Sequence, residues 1–472
     1  MKKLFSPVIP VAFSCALFCT SLVHGQVADI PDARPVAGIP VNNVEANVHA
    51  YTLPPLLKML NGQPVTDADM WFKQRRPEIV HFYETQVYGR VPATAPKVTW
   101  EVADVDRKAL GGTAVVKHLI GHMGSPTATT AIHVTLVTPA NATKPVPLLL
   151  GINFNFGART PAGPNAKDAD KLNQDMLALV EKDDPSTKAI FDKNPSFRLV
   201  PAGPTVAPAV AIGVPAGVPV DRLLAAGIGY ATFFKDDVET DIEGPTLNPN
   251  VNIARKLGLA PGQTKPDADE WGAIAAWAWG ISRVEDYLET DKDVDAKRVA
   301  ITGGSRLGKT VLWAGVNDQR IAMVIACSGG SGGAKISRRN YGEQIAHLVA
   351  PTRYPYQFAA NYAQFAADPG ISPMDTHCLV AAMAPRFLLL HTAANNDNWS
   401  DPKGEYLAAI AATPAYELVG EKGLTGRTTD QPMVTGELVG DDLAFYLNNG
   451  GHAALNWDIA LQYMTKKFHP GQ

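Results

Sequence analysis

Between Trp100 and Pro139 apolar and polar residues alternate, as in Val115-Val116-Lys117-His118-Leu119-Ile120 and Ile132-His133-Val134-Thr135-Leu136-Val137. Alternation with a period of two sends successive side chains to opposite faces of a strand, so this stretch predicts antiparallel strands. The pattern then changes. Val146 to Phe154, Gly229 to Phe234, Arg298 to Thr302, Met323 to Cys327 and Arg386 to Thr392 are short, nearly continuous apolar runs separated by helical patterns. Strands buried on both faces read this way, which predicts an α/β fold: three layers around a doubly wound, mostly parallel sheet, preceded by N-terminal antiparallel strands. From Glu270 to Leu288, Trp271, Ile274, Trp277, Ile281, Val284 and Leu288 recur at spacings of 3 and 4, the pattern of a helix buried along one side. Its tryptophans are expected in the core. The Pro-rich stretch from Gln26 to Thr66 reads as an extended arm over the surface. About 158–222, a charged helical piece followed by Pro, Ala, Gly and Val reads as an insertion that roofs a site. No internal repeat is found.

The chain has 472 residues, and one large α/β domain with embellishments accommodates it. Lys2 and Lys3, an apolar run from Val8 to Val23 and Val23-His24-Gly25 before Gln26 have the layout of a secretory signal, predicting a leader over 1–25, a single domain over 26–472 and a secreted or periplasmic protein. Nothing later approaches ~20 uninterrupted apolar residues, so no stable membrane association is expected. A monomer is the expectation. Cys327 and Cys378 remain after the leader, either bridged or free and buried. A net charge of −4 with no long basic run argues against nucleic acid as a partner. With no Cys/His cluster at zinc spacing and no HExxH, no metal and no cofactor are expected.

The candidate chemistry starts at Ile301-Thr302-Gly303-Gly304-Ser305-Arg306-Leu307-Gly308-Lys309-Thr310, where a β-branched run stops at two glycines and a serine and an amphipathic helix begins. A serine on such a turn exposes its hydroxyl above the sheet, while the new helix aims unpaired N–H groups and its positive dipole end at the same place. The formula G-x-S-x-G is not met: Leu307 occupies the second glycine's position and Gly308 follows it. A plain Gly-Ser loop before a helix, or a phosphate-binding turn, has the same local appearance.

A serine hydroxyl needs a base to take its proton and a third group to orient that base. The α/β-hydrolase order of these groups is serine, acid, histidine. After the strand-like Arg386-Phe387-Leu388-Leu389-Leu390-His391-Thr392, Asp397 sits a few residues past the strand end, where the acid belongs; Asp401, before Pro402, equally suits a helix cap. Asn449-Gly450-Gly451-His452 puts a histidine on a glycine-hinged loop before the final helical pattern. His133 and His391 fall on apolar strands and read as core residues, and His377 as a turn cap. Arg306 and Lys309 flank the serine: Arg306 suits an additional oxyanion donor or a salt bridge, and Lys309 a substrate contact or a solvated helix face. Two cations at the site suggest an acidic-sugar substrate over a fatty acyl chain.

Thr302-Gly303-Gly304-Ser305-Arg306-Leu307-Gly308-Lys309 resembles the G-C-S-R-x-G-K elbow of the glucuronoyl esterases, carbohydrate esterase family fifteen, with Gly304 in place of the usual cysteine. Ser328 to Glu343, with Ser337-Arg338-Arg339-Asn340-Tyr341-Gly342-Glu343, resembles the S-R-R-x-F-G-E segment of bacterial members, and Asp397 to Tyr406 their D-x-W-x-D-P-x-G-E-F loop. The likeness extends into the first half through Leu148 to Phe154 and Gly229 to Asp237. The resemblance implies cofactor-free hydrolysis of esters between 4-O-methyl-glucuronic acid on glucuronoxylan and lignin alcohols. It implies Ser305 as nucleophile, Arg306 as oxyanion donor, His452 as base, and Lys309, Glu343 and Trp399 as uronate contacts. Many members carry a glutamate where this chain has Ser328, so the acid's role falls to Asp397. The rival expectations are an acetyl xylan or other small-ester carboxylesterase, and a non-catalytic polysaccharide-binding protein of hydrolase fold.

Overall fold

Ten strands form one sheet in the computed structural model, which describes residues 28–31, 33–128, 130–154, 212–241 and 253–469. The expected leader over 1–25 and most of the expected insertion over 158–222 lie outside the described residues. The alternating segment forms β1 (Val98–Lys108), β2 (Ala114–Met123) and β3 (Ala131–Pro139), paired antiparallel. The apolar runs form β4 (Val146–Asn153), β5 (Gly229–Phe234), β6 (Val294–Gly304), β7 (Met323–Cys327) and β8 (Phe387–Ala393). They are parallel to one another, and β3 joins them antiparallel through β5. Every residue of β5 and β7 is buried, as expected for strands covered on both faces. β10 (Leu443–Asn448) adds a further parallel strand beside β8, and the short β9 (Leu438–Gly440) closes that edge antiparallel. Neither was anticipated from the pattern.

The strands lie in the order β1-β2-β3-β5-β4-β6-β7-β8-β10-β9, so after β4 the chain crosses to one side to make β5 and to the other to make β6. Strand order therefore reverses between β4 and β6. In open α/β sheets a crevice forms outside the carboxyl ends of strands at such a point, because the connecting segments leave in opposite directions. Phe154 follows β4 and Ser305 follows β6, so both stand at this crevice.

The helix foreseen over 270–288 spans Ala273–Leu288, and its small Ala face lets it pack deep in the core. Trp277 on it is fully buried and donates Nε1–H to the Glu239 carbonyl at 2.8 Å. Removing the indole would leave a large void in the core, so Trp277→Ala is expected to lower the free energy of unfolding by about 3–5 kcal/mol. Urea denaturation monitored by circular dichroism measures it; a loss below about 1 kcal/mol would contradict this packing.

One segment follows the pattern reading and the next departs from it. The arm is extended over the surface as expected, and it is pinned: Asn42 accepts from Gly342 N–H at 2.8 Å, and Glu45 takes Arg339 and, at 2.8 Å, Lys403. Directly after it, consecutive helical turns run over Ala68–Met70, Trp71–Arg75, Arg76–Tyr83 and Glu84–Tyr88. The periodicity hides them because arginines occupy inward positions. Arg76 is buried and spends its guanidinium on the carbonyls of Ala382 (2.9 Å) and Val316 (2.6 Å), and Arg75 bonds Leu56 O at 2.9 Å. Cys327 and Cys378 are both buried and free. Among the described residues no helix is long and apolar enough to cross a membrane.

Candidate active site

Ser305 occupies the turn between β6 and the helix Arg306–Asn317, with φ 60° and ψ −125°. A residue with a side chain holds that conformation only under constraint, at a cost of roughly 1–3 kcal/mol. The constraint here is hydrogen bonding: Ser305 N–H donates to Cys327 O at 2.9 Å, and Ser305 O accepts from Gly308 N–H at 2.8 Å. The displaced glycine now has a reason. A Cβ on Gly308 would come within 2.6 Å of Cys327 O, because the helix starts against the end of β7. A Cβ on Gly304 would lie 2.7 Å from the Ala453 Cβ, so the cysteine usual in the resembling motif would require the histidine loop to shift.

His452 stands on the loop between β10 and the helix Trp457–Phe468. That loop is held at several points: Asn448 Nδ2 donates to Ala454 O (2.8 Å), Asn395 Nδ2 to Asn449 O (2.7 Å), and Asn456 N–H to His391 Nε2 (3.0 Å). Burial pushes His391 down to about 4, which keeps it neutral and able to accept that bond. His452 Nδ1 lies 2.7 Å from Asp397 Oδ1 and 3.2 Å from Ser400 Oγ. Asp397 is 1 % exposed, and its other oxygen accepts from Ser328 Oγ at 2.7 Å. With Nδ1 turned to the carboxylate, Nε2 on the opposite side of the ring is the nitrogen left for the cavity. His452 and Ser305 line the same cavity of about 720 Å³, together with Asn153, Phe154, Arg306 and Trp457.

Asp401 is committed elsewhere. It begins the helix Pro402–Leu418, accepting from Gly404 N–H at 3.0 Å, and receives Arg339 Nε at 2.9 Å. Of the two acids the sequence left open, only Asp397 meets the histidine. His133 bonds Asp237 at 3.1 Å and His377 bonds Pro54 O at 3.0 Å, both away from the cavity.

Both cations at the elbow have carboxylate partners. Arg306 lines the cavity and donates to Asp241 Oδ2 at 2.7 Å and to Tyr354 Oη at 3.2 Å, with Tyr354's ring 4.5 Å below the guanidinium. Burial disfavours its charge, but the Asp241 carboxylate outweighs that and holds Arg306 above its ordinary value. Asp241 is itself fixed by Tyr356 Oη (2.6 Å) and Gln357 Nε2 (2.9 Å). Burial raises its acid, yet Arg306 and Lys235 bring the net shift below the ordinary value. Lys309, buried one helical turn beyond the serine, donates to Gly329 O at 2.7 Å and to Glu343 Oε2 at 3.1 Å. Trp399 Nε1 donates to the other Glu343 oxygen at 3.0 Å. Lys309, Glu343 and Trp399 are thus brought together as one linked group, and none of the three lines the cavity of Ser305 and His452. Only Trp399 is appreciably exposed.

Sequence reasoning missed Asp241, Tyr354 and Ser400, which no motif marks. It also missed the state of Glu405. This carboxyl accepts from Gly330 N–H at 2.7 Å under the site, and burial pushes it up to about 8, so it is protonated at neutral pH. Among the described residues no group of His, Cys, Asp or Glu is arranged to hold a metal ion.

The profile of a family described as "Glucuronyl esterase, fungi" matches residues 266–420. Carbohydrate esterase MZ0003, from an unknown prokaryotic organism, is 34% identical over 425 residues, 89% of this chain and 91% of that protein. The chain belongs to the glucuronoyl esterases of carbohydrate esterase family fifteen. A glucuronoyl esterase from Solibacter usitatus superimposes with a TM-score of 0.72 at 38% identity, covering 89% of this chain and 99% of its own. A promiscuous family-fifteen esterase from a marine bacterial metagenome gives 0.71 at 32%, covering 90% and 99%. Members of the family share the α/β-hydrolase fold, and this chain is a carboxylic ester hydrolase.

Proposed function

We propose that this esterase hydrolyses uronoyl esters of glucuronoxylan through a covalent intermediate on Ser305. The observation that carries the reading is the 2.7 Å contact of His452 Nδ1 with buried Asp397, on a histidine that lines one cavity with Ser305. Ser305 Oγ attacks the ester carbonyl carbon while His452 Nε2 takes its proton. Asp397 keeps the imidazole's Nδ1 protonated and balances the positive charge that forms. The guanidinium of Arg306 and the N–H groups opening its helix face the developing oxyanion. His452 then protonates the departing alcohol oxygen, water attacks the acyl-enzyme with its proton going to His452, and the free uronic acid leaves with Ser305 restored.

The pairing of both cations bears on the substrate. A uronic acid bound as an ester has no charge, so a site whose cations are already neutralised by Asp241 and Glu343 suits the sugar ester better than a free carboxylate. Lys309, Glu343 and Trp399 are assigned to the sugar's side, with the Trp399 ring outermost and the ion pair behind it offering bonds to hydroxyls. On the alcohol's side, Ile152, Phe154, Val218, Tyr230, Leu455 and Trp457 give the cavity an apolar wall, which supports a bulky, aromatic leaving alcohol of the lignin type. The composition of residues 1–25 supports export, to a periplasm or beyond.

Hydrolysis of benzyl glucuronate, acetylated xylan and a short nitrophenyl ester, compared by kcat/KM, tests the assignment. The glucuronate ester is expected to lead by about tenfold or more, since the acetates forgo the sugar contacts. A preference for acetylated xylan would replace the uronoyl assignment with an acetyl xylan esterase. No turnover of any of the three, with polysaccharide binding retained, would leave a binding protein.

A further inference from the structure

Ser328, the residue after β7, is 2 % exposed and has φ 45°. Its N–H donates to His391 O at 2.8 Å, which fastens the turn to the end of β8. Its hydroxyl lies 2.7 Å from Asp397 Oδ2 and 3.2 Å from the N–H of Ala453. A hydroxyl has one hydrogen and two lone pairs. The carboxylate only accepts and the amide only donates, so the hydroxyl hydrogen is committed to Asp397 and a lone pair to Ala453. One buried oxygen atom thus joins the acid to the residue next to His452.

We infer that Ser328 is a positioning residue for the reaction, acting through Asp397 and the His452 loop. Rotation of a carboxylate about its last torsion is soft, so one hydrogen bond from the imidazole does not by itself hold both oxygens in place. Ser328 occupies Oδ2 and thereby leaves Oδ1 directed at His452 Nδ1. Its bond from Ala453 N–H fixes the distance between the two loops that carry the acid and the base. Ser328 is buried with its hydroxyl committed to Asp397 and Ala453, and it is assigned no contact with the substrate. The inference rests on the assignment of Ser305, His452 and Asp397 proposed above.

Ser328→Gly and Ser328→Ala test it in the full-length enzyme. Alanine removes only the hydroxyl but keeps a Cβ at φ 45°, whereas glycine removes the hydroxyl together with Cβ and accepts that φ without strain, so it remains informative where alanine does not fold. Both are expected to lower kcat by about tenfold or more with KM changed by less than about twofold, because a misdirected acid weakens the chemical step and leaves the substrate's contacts intact. The low-field proton resonance of the His452 Nδ1–H to Asp397 bond is expected to move upfield or broaden in the variants. A Ser328→Gly enzyme with wild-type kcat and an unmoved resonance overturns the inference, as does one that loses only thermal stability. Ser305→Ala, measured alongside, separates the two levels. If it is inactive while Ser328→Gly equals wild type, only the positioning role fails; if it turns over normally, the reading of the whole site fails.

Discussion

Ser305→Ala is expected to reduce kcat on a glucuronate ester by at least about ten-thousand-fold while leaving the melting temperature within a few degrees of wild type. The size follows from the place of the hydroxyl. Without Oγ no acyl-enzyme forms, and what remains is the donor set around the oxyanion acting on direct attack by water. Stability should change little, because the serine's contribution to the fold is made by its backbone. Its N–H and carbonyl hold the turn to Cys327 and Gly308, and alanine keeps both. Initial rates with benzyl glucuronate and a thermal melt measure the two quantities. Activity within tenfold of wild type would remove the serine from the chemistry.

The second large effect separates two aspartates four residues apart. Asp397→Asn is expected to lower kcat by about ten-thousand-fold, with KM nearly unchanged, because an amide can present its NH2 to His452 Nδ1 and so favour the wrong tautomer of the imidazole. Asp401→Asn is expected to do the opposite. It begins the helix Pro402–Leu418 and is buried against Arg339, so weakening that pair costs about 2 kcal/mol or more of stability while folded enzyme keeps its kcat. Steady-state kinetics and urea denaturation of both variants test the contrast. If Asp401→Asn lost turnover and Asp397→Asn lost only stability, the roles given to the two acids would be exchanged.

The choice between these aspartates illustrates how far the chain could be read. Both follow a buried strand, and Asp401 before Pro402 already had the local form of a cap; the structure confirms that form in the bond to Gly404. Which acid meets His452 depends on the loop after β8 facing the loop after β10, and this follows from β10 lying beside β8. That strand went unread. The reading of the two cations had the same limit. Arg306 and Asp241 are 65 positions apart and Lys309 and Glu343 are 34, so the sequence displayed two cations beside a serine and did not display their counter-charges. The structure supplies those counter-charges, and paired cations suit the uncharged ester of an acidic sugar proposed above. The helical turns from Ala68 to Tyr88 were hidden for a related reason: Arg75 and Arg76 are buried because carbonyls of distant segments receive them, and periodicity counts arginine as an outward residue.

The amino-acid sequence by itself determined the layered α/β architecture, the turn that carries Ser305 and the order of serine, acid and histidine. These are written in local terms, as runs of apolar residues, glycines at a sharp turn and polar loops at strand ends, each acting over a few neighbouring positions. The tertiary structure alone decided that Asp397 and not Asp401 reaches His452, that Asp241 and Glu343 neutralise the two cations, and that Ser328 joins the acid to the histidine loop. Such pairings form where loops from separate strands converge at one end of the sheet, and hydrogen bonds, which act only within about 3 Å, are settled by that convergence.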